Sequence, residues 1–206
     1  MRIELFNPFA YLLIVAMVFY ALKPGVERMI EWREVLDEVA ESGLVIDGDR
    51  LQGLIVTEHA TLEYRGDGAI EQVSIGSVGL FAPESNFGAH YLVSVDAVRR
   101  LRGVEVDILY EVRSAAERGS MEWQARVVIV GAADTGWLPQ AALPDWSVVT
   151  VRMTIPDVDL EWPLDLMIWS DSRGGGGGVD LRRLEVRPVD PDAAEPVAPP
   201  VSDGAE

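Results

Sequence analysis

The sequence predicts a mainly β protein, a sandwich of short strands preceded by two helices. Three features predict it: an apolar run near the amino terminus, a striped charged segment after it, and alternating apolar and polar runs bounded by turn residues. Hydrophobic residues make up 49% of the 206 positions, enough to bury a sizeable core. We divide the chain into a transmembrane anchor (1–24), an amphipathic stalk (25–43), a sandwich domain (44–187) and an acidic, proline-rich tail that we expect to be disordered (188–206).

The composition excludes several classes of function. With 17 Lys and Arg against 34 Asp and Glu, the net charge is −17, which argues against nucleic acid as a partner. The chain has no cysteine, so disulfides, thiolate metal sites and a cysteine nucleophile are excluded. Its two histidines, His59 and His90, have no nucleophile signature beside them, and no motif marks a catalytic carboxylate pair. We therefore expect no enzyme activity and no cofactor.

Residues 6–22 read FNPFAYLLIVAMVFYAL and predict one membrane-spanning helix, because Asn7 is their only polar side chain. Asn7 followed by Pro8 is a good N-cap and first-turn pair. The aromatic residues expected to anchor the helix in the lipid bilayer are Phe6, Phe9, Tyr11, Phe19 and Tyr20. A cleaved signal peptide is the alternative, but no small-residue cleavage site follows. A buried core helix is disfavoured because the run is apolar on every face.

The anchor implies a single-pass protein of a bacterial-type inner membrane. Arg2 precedes the span, while Lys23, Arg28 and Arg33 follow it, and this count slightly favours a cytoplasmic domain. A β-rich body is common outside the inner membrane, however. We expect the soluble domain to be periplasmic rather than cytoplasmic.

The stalk predicts a helix over 26–41 that ends at Gly43. Its apolar residues recur at helical spacing and form one narrow stripe: Met29, Trp32, Leu36 and Val39. Charged residues fill the remaining faces. The stripe predicts that the stalk packs on its own domain or that Met29, Trp32 and Leu36 dock on a partner protein.

The clearest strands alternate apolar and polar residues over 103–113, 123–130 and 149–155. Weaker strand signals lie at 54–57, 62–64, 73–75, 78–81 and 91–95. The strand at 164–169 is apolar on both faces, so Met167 and Trp169 need a loop, a protein or a ligand to cover them. We list both as candidate contacts. Near the end, Leu181 is out of phase with Leu184, which predicts a bulge.

Six segments follow one another in a characteristic order: Arg99–Arg113, Trp123–Val130, DTGW at Asp134–Trp137, LPDW at Leu143–Trp146, the strand ending at Pro156, and Leu166–Val186. Their order and spacing resemble galactose-binding-like jelly-roll domains, a group that includes many carbohydrate-binding modules. The resemblance covers roughly Leu51 to Pro188. It implies a jelly-roll fold, which hosts glycan binding, adhesion and structural roles, and it assigns no binding residue.

Aromatic rings on loops are the residues that stack on sugars, and Trp137, Trp146 and Trp162 lie beside turn signals. Asp157 and Asp159 are weak candidates for a structural calcium ion, because their spacing matches no known calcium loop. We expect Asp171 and Asp180, which flank five glycines at 174–178, to be solvated. The glycines predict a flexible hairpin connection, since no phosphate-loop Lys and Ser or Thr follow them.

These observations favour a non-enzymatic, single-span accessory subunit whose jelly-roll domain docks on and stabilises a larger membrane protein complex. The expected partners are the bilayer, through residues 6–22, and other subunits of that complex. The alternative is a membrane-tethered carbohydrate-binding module for cell-wall or exported polysaccharide.

Overall fold

The computed structural model of the protein describes residues 39, 41–57, 59–79, 81–82 and 88–189. In this part of the chain two six-stranded antiparallel sheets form a sandwich. Sheet A contains β1 (Leu44–Asp47), β3 (Ala60–Arg65), β4 (Gln72–Ser77), β6 (Glu105–Ser114), β10 (Ser147–Thr154) and β12 (Gly178–Pro188). Sheet B contains β2 (Ile55–Val56), β5 (Ala89–Val93), β7 (Glu122–Ile129), β8 (Ala133–Asp134), β9 (Leu138–Ala141) and β11 (Leu164–Trp169).

Strand β12 organises sheet A because it pairs with three neighbours. The order of the sheet is β10-β6-β12-β4-β3, and β1 pairs with the second half of β12. The order of sheet B is β2-β5-β11-β7-β8, with β9 also paired to β7. Strands β4 and β6 flank the start of β12, so residues from β3, β4, β12 and β6 lie side by side on one face.

The core lies between the sheets and follows the predicted alternation. The apolar positions of β6 and β7 are buried, and the ring of Tyr110 on β6 lies 5.6 Å from the ring of Trp123 on β7. This contact joins the two sheets through a tilted aromatic pair. The prediction of a mainly β sandwich is confirmed.

In the described part of the chain, two helices connect strands. A 3-10 helix at Gly48–Gly53 follows β1, and the helix α1 at Val95–Arg100 follows β5. The sequence analysis placed Val95 in a strand, which is wrong. Ser94 caps the helix instead, because its hydroxyl accepts a hydrogen bond from Ala97 N at 3.4 Å. The short strands β1, β8 and β9 were not predicted, since two to four residues carry too little alternation.

Two details of the strand predictions have opposite outcomes. A register shift between Leu181 and Arg183 in β12 confirms the predicted bulge. The predicted strand at 78–81 is wrong for its described residues: β4 ends at Ser77, and Val78 is exposed. Val78 N donates a hydrogen bond to His59 O, but no ladder continues beyond it. The prediction failed because Val78, which is exposed just after the end of β4, has the residue type expected in a strand, and the local sequence does not show whether it is buried.

The membrane anchor and nearly all of the stalk lie outside the described residues, as does the tail from residue 190. Val39, Glu41 and Ser42 are helical, in agreement with the predicted end of the stalk helix. Within the part of the chain that the structure describes, no helix is long and apolar enough to cross a bilayer. The boundaries of the anchor, stalk, domain and tail stay predictions.

The junction between stalk and sandwich predicts a stability test at Gly43. Its φ of +84° favours glycine, and an added Cβ would lie 2.3 Å from Val186 O. Gly68 has a similar φ of +89° but open space around a Cβ. Replacing each by Ala separates the cost of the positive φ from the cost of the close contact. Gly68→Ala, which meets only the first, should lower the free energy of unfolding by about 1 kcal/mol, and Gly43→Ala, which meets both, by about 3 kcal/mol. Chemical denaturation measures both, and equal losses would contradict the close approach.

Candidate functional site

The outward face of sheet A carries a row of polar side chains that crosses four strands. Arg113 on β6 lies opposite Asp180 on β12, Asp180 opposite Ser74 on β4, and Ser74 opposite Glu63 on β3. Each of the four has a strand neighbour that belongs to the core or packs against it, so these four side chains project outward. We call Glu63, Ser74, Asp180 and Arg113 the polar row.

Asp180 is the buried centre of the polar row, with 0% of the residue exposed. Its carboxylate accepts a hydrogen bond from Ser74 Oγ at 2.6 Å and one from Arg113 Nε at 3.0 Å. Arg113 also donates to Gln72 Oε1 at 3.1 Å. The expectation that Asp180 is solvated is therefore wrong. The cross-strand register places a cation and a hydroxyl against it, and they replace water.

A cleft of about 390 Å³ opens beside the polar row, at the end of sheet A where β12 begins. It is lined by Thr61, Glu63, Arg65, Ser74, Ile75, Gly76, Ala115, Glu117, Arg118, Gly176 and Gly178. Arg65 forms an ion pair with Glu63 at 3.1 Å. Because the lining holds two carboxylates and two guanidiniums, the cleft has no net charge, although the chain carries −17.

One wall of the cleft is the loop 115–119, which is fixed to the start of β12. Gly178 N donates to Arg118 O at 2.8 Å, and Gly178 O accepts from Ala115 N at 3.1 Å and from Ser120 N at 2.9 Å. Arg118 has a φ of +56°, the left-handed region that costs energy for a side chain with a Cβ. The three hydrogen bonds hold this unfavourable conformation, so the wall is preformed.

Trp146 lies on the same face as the cleft, directly before β10. The guanidinium carbons of Arg113 and Arg182 lie 4.6 Å and 4.7 Å from its ring centroid. Arg182 is itself paired with Glu111. The strands that line the cleft, β12, β4 and β3, lie two to four strand spacings from β10, a distance of roughly 10 to 19 Å. The sequence analysis listed Trp146 as a candidate for sugar stacking. In the structure, cation–π contacts with two arginines hold its ring on the polar outward face of sheet A.

The five glycines are not a free hairpin connection, because they close around Asp171. The backbone N–H groups of Arg173 and Gly177 each donate to its carboxylate at 2.9 Å, and those of Gly175 and Gly176 contribute as well. Burial alone would raise the pKa of Asp171, but these hydrogen bonds outweigh it and lower the pKa below its usual value. Asp171 is buried, so its expected solvation is wrong. The predicted hairpin is wrong as well, because β11 and β12 lie in different sheets and do not pair.

Packing within the chain explains the second apolar face of β11. Met167 and Trp169 are each 1% exposed on the outward side of sheet B. The ring of Phe81 lies 6.0 Å from that of Trp169 and 5.5 Å from that of Trp137, edge to face. Phe81 and Trp137 therefore contribute to the cover over Trp169. Neither Met167 nor Trp169 is available at the surface for a partner or ligand, which corrects the expectation of a contact surface there.

The remaining predicted residues lie far from the cleft. Trp162 is 54% exposed on the loop 156–163, which joins the end of β10 to β11. In the same loop, Arg102 Nη2 donates to Asp157 at 2.9 Å, so a cation of the chain already engages this calcium candidate. Asp159 is exposed. Among the described residues, no group of three His, Cys, Asp or Glu is arranged to hold a metal ion.

Several predicted contacts cannot be placed. The stalk residues Met29, Trp32 and Leu36 and the anchor residues Phe6, Phe9, Tyr11, Phe19 and Tyr20 lie outside the described residues. Their roles stay predictions.

Sequence reasoning missed the cleft itself. Thr61, Glu63 and Arg65 alternate along β3, which was a weak strand signal, so their shared face was not recognised. Glu117 and Arg118 lie in the turn AERG, a signal that could have marked a loop beside the sheet. The register that joins β3, β4 and β12 is a long-range property that no local pattern gives.

Comparison with known proteins places the fold among carbohydrate-binding modules. Neither a protein-family model nor a curated protein sequence matches this chain. Among solved structures, the tandem CBM22-1-CBM22-2 domains of Paenibacillus barcinonensis Xyn10C are similar at 13% identity and a TM-score of 0.50. The match covers 73% of this chain and 47% of that one.

Two other solved structures match at lower TM-scores. The xylan-binding CBM22-1 domain of Paenibacillus barcinonensis Xyn10C matches at 14% identity and 0.49, covering 75% of this chain and 99% of that one. The second amino-terminal cellulose-binding domain of Cellulomonas fimi β-1,4-glucanase C matches at 12% identity and 0.48, covering 73% and 95%. The likeness concerns the fold alone: a jelly-roll β-sandwich of the type found in carbohydrate-binding modules.

The hydrogen-bonded Asp171 predicts a pH-dependent stability. Folding lowers the pKa of Asp171, so its ionised carboxylate stabilises the folded state. This stabilisation is fully present above the pKa of the unfolded chain, near 4, and is lost as the pH falls through the lower pKa of the folded state. Asp171→Asn should therefore lower the free energy of unfolding by about 2 kcal/mol at pH 7, and the gap to the natural chain should narrow below pH 4. Denaturant titrations at several pH values measure this. Asp159→Asn, at an exposed carboxylate, is the control, and a gap independent of pH would contradict the account.

Proposed function

We propose that this chain is a non-catalytic glycan-binding module whose ligand lies across the outward face of sheet A. The observation that carries the proposal is a cleft of about 390 Å³ with no net charge, whose walls are formed by strands and by the loop 115–119. A cleft of this volume lies in the range of small-ligand sites. Preformed walls reduce the conformational entropy that binding would otherwise cost.

The lining of the cleft suits hydroxyl groups. Glu63 and Glu117 offer carboxylate acceptors, Arg65 and Arg118 offer donors, and Thr61 offers both. A sugar ring presents hydroxyls that donate and accept, so both kinds of partner are used. The absence of net charge in this lining, together with the charge of −17 on the chain, disfavours an anionic polymer. We infer an uncharged polysaccharide.

Trp146 supplies the aromatic ring that the cleft lining lacks. Its place by β10 and the place of the cleft on β12, β4 and β3 define a line across the strands. A linear glycan lying along this line would contact the ring at one end and the hydroxyl-binding groups at the other. Aromatic rings bind the apolar faces of sugars, while polar groups at the edge fix the orientation.

The fold supports this proposal over a docking role in a membrane complex. The solved neighbours are carbohydrate-binding modules, and the names of two of them record xylan and cellulose as ligands. Xylan and cellulose oligosaccharides are therefore the first ligands to test. The sequence also predicted an accessory-subunit role, a periplasmic location and a structural calcium ion. They stay predictions.

Binding measurements with aromatic variants test the proposal. Trp146→Ala should lower the affinity for a bound xylan or cellulose oligosaccharide about tenfold, because it removes ring stacking. Trp162→Ala, at the exposed tryptophan far from the cleft, is the matched control and should keep the affinity of the natural chain. Calorimetry of the full chain in detergent measures both. Equal effects of the two variants would contradict the site.

A second pair of variants tests the cleft. Thr61→Val removes one hydroxyl from the lining with little change in volume and should lower the affinity about fivefold. Thr154→Val, at an exposed position at the opposite end of sheet A, should leave it unchanged. Absence of binding to every neutral glycan tested, with and without calcium, would overturn the proposed function.

A further inference from the structure

The chain enters the sandwich at the end opposite the cleft. Val39 is 3% exposed and belongs to the core, and Gly43 N donates to Val39 O at 3.0 Å. Strand β1 then begins at Leu44, paired with Val186 near the end of β12. Residues 1–38 are therefore joined to the described chain at the end of sheet A where β12 finishes, whereas the cleft lies where β12 begins.

That end of the sandwich presents a fixed surface with exposed apolar side chains. Leu160 is buried and its carbonyl accepts a hydrogen bond from Arg99 Nε at 2.9 Å, which ties the loop 156–163 to α1. Between and beside these anchors, Val158 is 48% exposed and Trp162 is 54% exposed. We call Val158, Asp159, Glu161 and Trp162 the basal face. An exposed tryptophan on a fixed loop is typical of an interaction surface.

We propose that residues 26–38 of this same chain dock on the basal face. The predicted apolar stripe of Met29, Trp32 and Leu36 ends in Val39, and Val39 is the member that the structure places in the core. A helix that continues backward from Val39 presents the rest of the stripe to the surface at which Val39 enters. The inference does not depend on glycan binding.

Charge and length agree with this occupant. Arg28 and Arg33 are the only basic residues in 26–38, and helical geometry places them on either side of the stripe. On the basal face, the exposed acids Asp159 and Glu161 lie between the exposed apolar residues Val158 and Trp162. An apolar stripe flanked by arginines thus meets a face on which carboxylates lie beside apolar side chains. Thirteen helical residues span roughly 20 Å. From β1, beside which the stalk enters, to β10, which the loop 156–163 follows, is three strand spacings of sheet A, roughly 14 Å.

The docked stalk would orient the domain. Because the stalk leaves from the basal end and the cleft lies at the other end of sheet A, docking fixes the cleft on the side away from residues 1–25. A free stalk would allow the cleft to point in any direction.

Cysteine labelling tests the proposal, since the natural chain has no cysteine. Val158→Cys should react with a maleimide about tenfold more slowly than Val148→Cys in the full chain in detergent, because docking must open first. Val148 is the matched control: it is 55% exposed on β10 and far from the basal face. Adding Leu36→Asp should raise the rate at Val158→Cys to that of the control. Equal rates in the natural background would overturn the proposal, as would slow labelling that Leu36→Asp does not change.

Cross-linking identifies the occupant. A short bis-maleimide should join Val158→Cys to Leu36→Cys or to Met29→Cys within one chain, whereas Glu34→Cys, on the opposite side of the predicted helix, should not react. Equal yields for Leu36→Cys and Glu34→Cys would show an undocked stalk. Cross-links between two chains would assign the surface to a second copy. Protection that appears only with lipid vesicles would assign it to the bilayer, and both results overturn the proposal.

Discussion

The buried carboxylate of Asp180 is the interaction on which the outward face of sheet A depends. A carboxylate with no exposed surface is costly unless it is paired and hydrogen-bonded, and Ser74 Oγ and Arg113 Nε satisfy it from two neighbouring strands. The same Arg113 lies against the ring of Trp146. One buried group thereby fixes the register of β4, β12 and β6 and the position of an aromatic ring.

Fixing this face also fixes the cleft. Gly178 begins β12 two residues before Asp180, and its N–H and carbonyl hold the loop 115–119. On the other side of β4, the ion pair of Arg65 and Glu63 continues the row along β3. The polar groups of the cleft therefore belong to strands and to a loop that is hydrogen-bonded to β12. This arrangement suits recognition of hydroxyl groups, which requires several polar atoms held in fixed positions.

The sequence predicted what depends on local pattern and missed what depends on register. Alternation placed β6, β7 and β10 correctly, a run apolar on both faces placed β11, and the phase change near Leu181 located the bulge. The burial of Asp171 and Asp180 was not predictable, because an acid beside a glycine run looks solvated until its long-range partners are known. For the same reason Met167 and Trp169 suggested a contact surface, although Phe81 packs against Trp169 within the chain and Trp137 packs against Phe81. The order of strands was sufficient for the jelly-roll resemblance but not for a site.

The most direct test of the account is amide hydrogen exchange of the full chain with and without a bound neutral glycan. Ligand across sheet A should slow exchange at β3, at β4 and in the loop 115–119, while amides of sheet B keep their rates. Protection confined to sheet B or to the basal end, with no change in the strands around Asp180, would contradict the assignment of the binding face.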